Sequence, residues 1–137
     1  MSPSSLAHKM KLKPGQRAAV ANPPDGFLNE LGPLPARVQV AGKLHGQFEW
    51  LQVFVKNKAE LDKLVPRLVR ALKPESLLWI SFPKGTSKIQ TDLTRDRGWD
   101  AVQKVDLKWV NLISVNDTWS AVALRPYKPG ERRQSFR

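Results

Sequence analysis

Hydrophobic and polar positions along the chain follow two different periods. Short apolar runs at 17–21, 48–55 and 77–82 are bounded by turn residues, which is typical of buried parallel strands. Between the last two runs, apolar residues recur at helical spacing over 61–72, with charged residues on the opposite face. The pattern therefore predicts three strands and one long helix, for which Asn57 is a suitable N-cap.

Weaker patterns predict the remaining elements. Apolar and polar residues alternate at 37–41, which predicts an edge strand, and again at 109–115 and 119–124, which predicts an antiparallel hairpin. A short helix is predicted at 27–31 and a longer one at 93–105. Strands that alternate with helices in this order indicate an α/β fold of three layers. Its sheet is mostly parallel and carries a C-terminal antiparallel β-hairpin.

One connection is short for a parallel sheet. Only residues 42–47 separate the strand at 37–41 from the strand at 48–55. A parallel crossover usually needs about a dozen residues, although six extended residues can reach about 20 Å. The strand at 37–41 is therefore either parallel with an extended return loop, or irregular or antiparallel.

The net charge is concentrated at the two ends of the chain. The 137 residues include 23 Lys and Arg against 12 Asp and Glu, for a net charge of +11. Residues 18–124 carry 14 basic and 11 acidic residues, so most of the surplus lies outside them. We predict a flexible basic N-terminal arm at 1–13, one α/β domain at 14–126 and a flexible basic C-terminal tail at 127–137.

Composition excludes several kinds of site. The chain has no cysteine, which excludes disulfides and thiolate ligands, and His8 and His45 lack the spacing of a metal site. No apolar run approaches the roughly 18 residues of a membrane span. The basic N-terminus also lacks the apolar core of a secretory signal. We expect a cytoplasmic protein with no metal and no membrane contact.

Residues 48–83 resemble the Rossmann-type fold of class I methyltransferases. An apolar strand, a long helix ending in LKPES and a second apolar strand follow one another, where that family usually has LKPGG at the helix end. More narrowly, the stretches 12–17, 31–35 and 91–96 are similar to a family of small bacterial proteins of unknown function with a reduced methyltransferase-like fold. The resemblance covers roughly residues 11–125 and implies an architecture, with no established activity.

The sequence departs from the methyltransferase pattern where the cofactor would bind. Methyltransferases follow the first strand with a glycine-rich turn, whereas residues 22–27 include two prolines and one glycine. They usually end the second strand with an acid for the cofactor ribose, and residues 40–43 contain none. Their third strand and its helix are missing as well. We therefore expect no S-adenosylmethionine cofactor and no catalytic residues.

Residues 22–25 also resemble the Asn-Pro-Pro-aromatic motif of amino-methyltransferases. Here Asp25 takes the place of the aromatic residue, and the motif follows the first strand rather than the fourth. Two consecutive prolines remove backbone donors and stop a strand. We interpret the segment as a rigid turn that ends the first strand.

A candidate crevice lies beyond the carboxyl ends of the strands, where ligands of open α/β sheets bind. Several basic residues follow the predicted strands, so a phosphate-bearing ligand would suit it. The alternative is a rim of solvated lysines, with ordinary helix capping around Asp92 and Arg95. The candidate ligand-binding residues are Asn22, Asp25, Gly26, Asn57, Phe82, Lys84, Lys88, Asp92 and Arg95.

The favoured function is a non-catalytic, methyltransferase-like binding module for a small ligand or a protein partner. One alternative is a divergent small enzyme that uses Asp25 and Asp92. Another is non-specific binding of nucleic acid, because basic ends can neutralise phosphates without reading bases. For that alternative the candidate residues are Lys9, Lys11, Lys13, Lys128, Arg132, Arg133 and Arg137.

Overall fold

One six-stranded sheet organises residues 6–132, the part of the chain that the computed structural model describes. Its strands are β1 (Arg17–Ala21), β2 (Gln39–Ala41), β3 (Phe48–Phe54), β4 (Leu72–Pro83), β5 (Leu107–Ser114) and β6 (Trp119–Pro126). They lie in the order β2-β1-β3-β4-β6-β5, with β1 to β4 parallel and β6 antiparallel to both neighbours. The helices are α1 (Leu6–Lys9), α2 (Phe27–Leu31), α3 (Lys58–Arg70) and α4 (Asp100–Gln103). The predicted α/β class, with its mostly parallel sheet and closing hairpin, is confirmed.

The edge strand β2 pairs in parallel with β1, which decides between the two alternatives for residues 37–41. The chain then returns to β3 through residues 42–47, which form neither helix nor strand. Arg17 holds this return loop, because its guanidinium donates hydrogen bonds to the carbonyls of His45 at 2.7 Å and Gln47 at 2.9 Å. The short connection is therefore fixed by side-chain contacts from β1.

The first face of the sheet is covered by α3. Its N-cap Asn57 accepts a hydrogen bond from the Glu60 N–H at 2.9 Å, as its position before the helix predicts. The apolar side is narrower than the sequence pattern indicates, since Val69 stays 41% exposed. The buried residues of this helix are Leu61, Leu64, Val65 and Leu68.

The second face is covered by α1, α2 and the residues that follow α1. Ala7, Met10 and Leu12 are buried there. The indole N–H groups of Trp50 and Trp79 both donate to the Met10 carbonyl, at 2.9 and 2.8 Å. The prediction of a flexible arm at 1–13 is therefore corrected for residues 6–13, because tertiary contacts hold them against the sheet. Residues 1–5 lie outside the described part.

The predicted helix at 93–105 is wrong for most of its length, since only α4 is helical there. Gly98 has a φ of +95°, and a Cβ at this position would lie 2.8 Å from Cδ1 of Leu93. Leu93 itself is fully buried, and Trp99 packs edge-on against Phe82 and Trp109. The segment therefore folds as a packed loop around its apolar residues.

The C-terminal segment folds back onto the hairpin. Glu131 accepts hydrogen bonds from Arg125, Lys108 and the backbone N–H of Lys128. The prediction of a flexible tail at 127–137 is corrected for residues 127–131 by these contacts. Arg133 and Arg137 lie outside the described residues.

Candidate functional site

Asn22 lies where β1 ends and lines three adjoining cavities at the carboxyl edge of the sheet. Its φ is +56°, a left-handed conformation that asparagine tolerates better than most residues. This conformation turns the chain sharply into Pro23 and Pro24. No described group bonds the exposed Asn22 carboxamide, so its donor and acceptor are free for a ligand. We call the three cavities together the Asn22 cleft.

The largest cavity of the cleft, about 660 Å³, has an apolar floor. Phe54 and Trp119 form it, with their rings edge-on and their centroids 5.0 Å apart. We call it the aromatic cavity; it is lined by Asn22, Pro23, Pro24, Phe54, Lys56, Glu60, Ile89, Thr118 and Trp119. Its size lies within the range of small-molecule pockets, roughly 300–1,000 Å³.

The other two cavities, about 400 and 330 Å³, share Asn22, Leu64 and Arg67. The larger runs between α3 and the return loop 42–47, and the smaller lies between α3 and the end of β3. We call them the basic groove, because Lys43, Lys63 and Arg67 line it. No carboxylate among the described residues pairs with these three cations. Glu60 is the acid of the groove, and its Oε1 accepts from the Lys56 N–H at 2.8 Å. The groove is therefore positive on balance and open to an anion.

Two of the sequence-predicted site residues cap α3. Asn57 bonds the Glu60 N–H, and Asp92 Oδ1 accepts from the Lys58 N–H at 2.8 Å. The N-terminus of α3 thus receives a carboxylate from the chain's own 84–99 loop. The sequence left helix capping as the alternative for Asp92, but at the predicted helix 93–105; in the structure Asp92 caps α3 instead.

The remaining predicted crevice residues are dispersed. Phe82 is buried in the core, and the Lys84 ammonium donates to Ser114 Oγ at 2.6 Å. The others are exposed and line none of the three cavities: Asp25, Gly26, Lys88 and Arg95. Asn22 is the one residue of the predicted set that the structure brings to the cleft.

Sequence reasoning missed Lys43, Lys63 and Arg67. Lys63 and Arg67 are four residues apart on the polar side of α3, which the hydrophobic pattern assigns to solvent. That side faces the return loop only because β2 lies parallel to β1, which the sequence left open. Had the sequence shown that β2 is parallel to β1, these three residues could have been placed at the same edge of the sheet.

The described residues contain no group of three His, Cys, Asp or Glu side chains that could hold a metal ion. Among the same residues, no helix is long and apolar enough to cross a membrane.

The basic segments at the two ends of the chain contact opposite ends of β5. The Lys9 ammonium donates to the Ser114 carbonyl at 3.2 Å, whereas Glu131 of the other segment binds Lys108. Lys108 and Ser114 are six positions apart along β5, a distance of about 20 Å. Lys11, Lys13, Lys128 and Arg132 are exposed. The described basic residues of the two segments therefore form two separate patches.

The sheet and its helices match solved methyltransferases. A ribosomal protein L11 methylase from Lactobacillus delbrueckii subsp. bulgaricus superposes with a TM-score of 0.60 at 15% identity, covering 90% of this chain and 77% of that one. A TehB-like SAM-dependent methyltransferase from Corynebacterium glutamicum gives 0.55 at 12% identity, covering 92% and 90%. A SAM-dependent methyltransferase from Aquifex aeolicus gives 0.53 at 12% identity, covering 85% of each chain. The chain has a class I methyltransferase-like fold.

These identities establish the fold and no activity. No protein-family model matches the sequence, and no curated protein matches it. Within the methyltransferase-like fold, the described residues place β2 at the sheet edge, in keeping with the predicted loss of a third strand. β2 leads into Gly42-Lys43, so a cation follows the strand where the family usually has an acid. The similarity to the small bacterial family of unknown function stays a prediction.

Proposed function

We propose that this chain is a non-catalytic, methyltransferase-like binding module that takes a small ligand in the Asn22 cleft. The observation that carries the proposal is the position of Asn22, which lines all three cavities at the carboxyl ends of β1, β2 and β3 and whose carboxamide bonds no described group. Open α/β sheets bind their ligands at this edge. Apolar walls with a few convergent polar groups are typical of ligand sites.

The absence of catalysis is supported by what lines the cleft. His45 and Glu60 are its ionisable groups besides lysine and arginine, and they line different cavities. Glu60 is engaged with the Lys56 N–H, and no nucleophile, base and orienting acid stand together there. The lysine that follows β2 also replaces the acid that would hold a cofactor ribose.

The proposal is tested by a fragment screen of the full chain, followed by mapping of NMR shifts. We expect shifts to cluster at Asn22, Lys56 and Thr118, and to disappear in Asn22→Ala, where the carboxamide is removed. Asn29→Ala is the matched control, because Asn29 is exposed on α2 and lines none of the three cavities.

Two outcomes would contradict the proposal. Fragment shifts that avoid the cleft would remove its central support. Shifts confined to Lys11, Lys13 and Lys128 on addition of a DNA duplex would instead favour nucleic-acid binding through the basic ends, with a steep dependence on salt.

A further inference from the structure

We infer that the ligand of the Asn22 cleft is a nucleoside phosphate, with its phosphates in the basic groove and its ring system in the aromatic cavity. The inference rests on the proposed function and adds the chemical class of the ligand. It depends on the different chemistry of the two parts of the cleft and on the residues that they share.

The basic groove supplies the charge for phosphates. Lys43 of the return loop lines one cavity of the groove and Lys63 of α3 lines the other, and Arg67 of α3 lines both. A guanidinium offers two parallel donors that fit phosphate oxygens, and the ammonium groups add point charges. Because no described carboxylate forms an ion pair with these cations, a bound anion need not displace one.

Arg67 extends the groove in one direction. It lines both groove cavities and a further cavity of about 350 Å³, which continues toward Arg70. More than one anionic group can therefore lie along α3. This favours a diphosphate over a single carboxylate.

The N-terminus of α3, a common place for phosphate, is closed to it. Asp92 accepts from the Lys58 N–H and Asn57 accepts from the Glu60 N–H. A phosphate would have to displace a carboxylate that the helix dipole already stabilises. The free cations of the groove are therefore the available anion site.

The aromatic cavity supplies the place for a ring. Its prolines, Ile89, Phe54 and Trp119 offer apolar surface, and Thr118 offers a hydroxyl. Asn22 and Glu60 line both this cavity and the basic groove, so one ligand can occupy both. A ligand with a flat ring at one end and phosphates at the other matches that arrangement.

The test is a set of NMR titrations of the full chain with ADP, pyrophosphate and adenosine as probes. ADP is expected to shift residues of both parts, pyrophosphate only the groove, and adenosine only the aromatic cavity and more weakly. Arg67→Gln should weaken ADP binding about tenfold, the usual effect of losing one charge-assisted hydrogen bond. Arg95→Gln should leave it unchanged, because Arg95 is exposed and lines none of these cavities.

The control removes the same unit of charge, so a general electrostatic effect would weaken both variants equally and would overturn the inference. Adenosine that binds as tightly as ADP would also overturn it. Oligouridylate that occupies the groove more tightly than ADP would assign the surface to single-stranded RNA and would overturn it too. If neutral fragments shift Asn22 and ADP does not, the inference fails and the binding module stands. If neither neutral fragments nor ADP shifts Asn22, the inference and the proposed function both fail.

Discussion

The N-terminus of α3 shows how single residues of this chain stabilise its own fold. Three side chains satisfy backbone donors there: Asn57 for Glu60, Glu60 for Lys56, and Asp92 for Lys58. Asp92 is contributed by a loop 34 positions along the chain. Its carboxylate therefore connects that loop to the helix, and its negative charge interacts favourably with the positive end of the helix dipole.

Removal of the Asp92 carboxylate is expected to lower stability. Asp92→Ala should reduce the free energy of unfolding by about 1 kcal/mol, because the Lys58 N–H loses a charged acceptor at a helix end. Urea denaturation measures the change. Asp96→Ala is the control, since Asp96 is an exposed acid of the same loop. Equal loss in both variants would contradict a capping role.

Glu131 joins the C-terminal segment to the hairpin. Arg125 donates two hydrogen bonds to its carboxylate, at 2.9 and 2.7 Å, and the Lys108 ammonium donates at 2.8 Å. Arg125, then Lys108, then the backbone N–H of Lys128 lower the pKa of Glu131 well below its ordinary value of 4.5. The charged form is thus favoured by folding.

This lowered pKa predicts how stability depends on pH. A carboxyl group whose pKa is lower in the folded state stabilises the protein above its ordinary pKa and loses that effect as the pH falls. Thermal unfolding should therefore give a lower midpoint for Glu131→Gln than for the unaltered chain at neutral pH. The gap should narrow as the pH falls below 4.5. A gap that stays constant would contradict the ion-pair account.

At the scale of elements, α1 and the turn after it belong to the core. The Met10 carbonyl accepts from two tryptophans, and the Met10 side chain is fully buried. The sequence predicts a mobile basic arm here, because 1–13 is short, polar and without periodicity. Trp50 and Trp79 come from strands 40 and 69 residues away, and such pairings leave no local pattern.

Met10 provides the test of that element. Met10→Ala should reduce the free energy of unfolding by about 3 kcal/mol, the typical effect of a cavity in a core. Lys13→Ala should cost far less, because that side chain is exposed. Denaturation of both variants measures the difference. Equal and small losses of stability in the two variants would support the prediction of a flexible arm.

The elements that sequence patterns predicted well are those whose contacts are repetitive. β1 and β3 bury continuous apolar runs, and α3 buries one helical face. These patterns are visible in the sequence whichever elements pack against them. The prediction of a helix at 93–105 was wrong because Leu93 and Gly98 are in contact within a loop. Its apolar residues pack singly around Trp99, with no period to detect. Tertiary contacts therefore determine the conformation of residues 93–105.

At the scale of the whole molecule, the order of strands determines the site. β2 lies parallel to β1, so the return loop carries Lys43 and His45 past the polar side of α3. The sequence placed its candidate crevice at this edge of the sheet, with Asn22 in the turn after β1. It placed Asp25 and Gly26 in the same turn and the other candidates after later strands. It could not find the cations of the basic groove, because the direction of the strand at 37–41 was left open. The cleft therefore combines an ordinary methyltransferase-like edge with cations that the fold brings together.

The central claim is that this fold keeps a ligand cleft and no longer holds the methyl donor. Calorimetric titration of the full chain with S-adenosylmethionine tests it most directly, with a cleft-binding fragment in a parallel titration as the positive control. The account predicts no saturable heat up to about 1 mM S-adenosylmethionine. Saturable binding at micromolar concentration would contradict it, and methyl transfer to an added acceptor would contradict the proposed absence of catalysis as well.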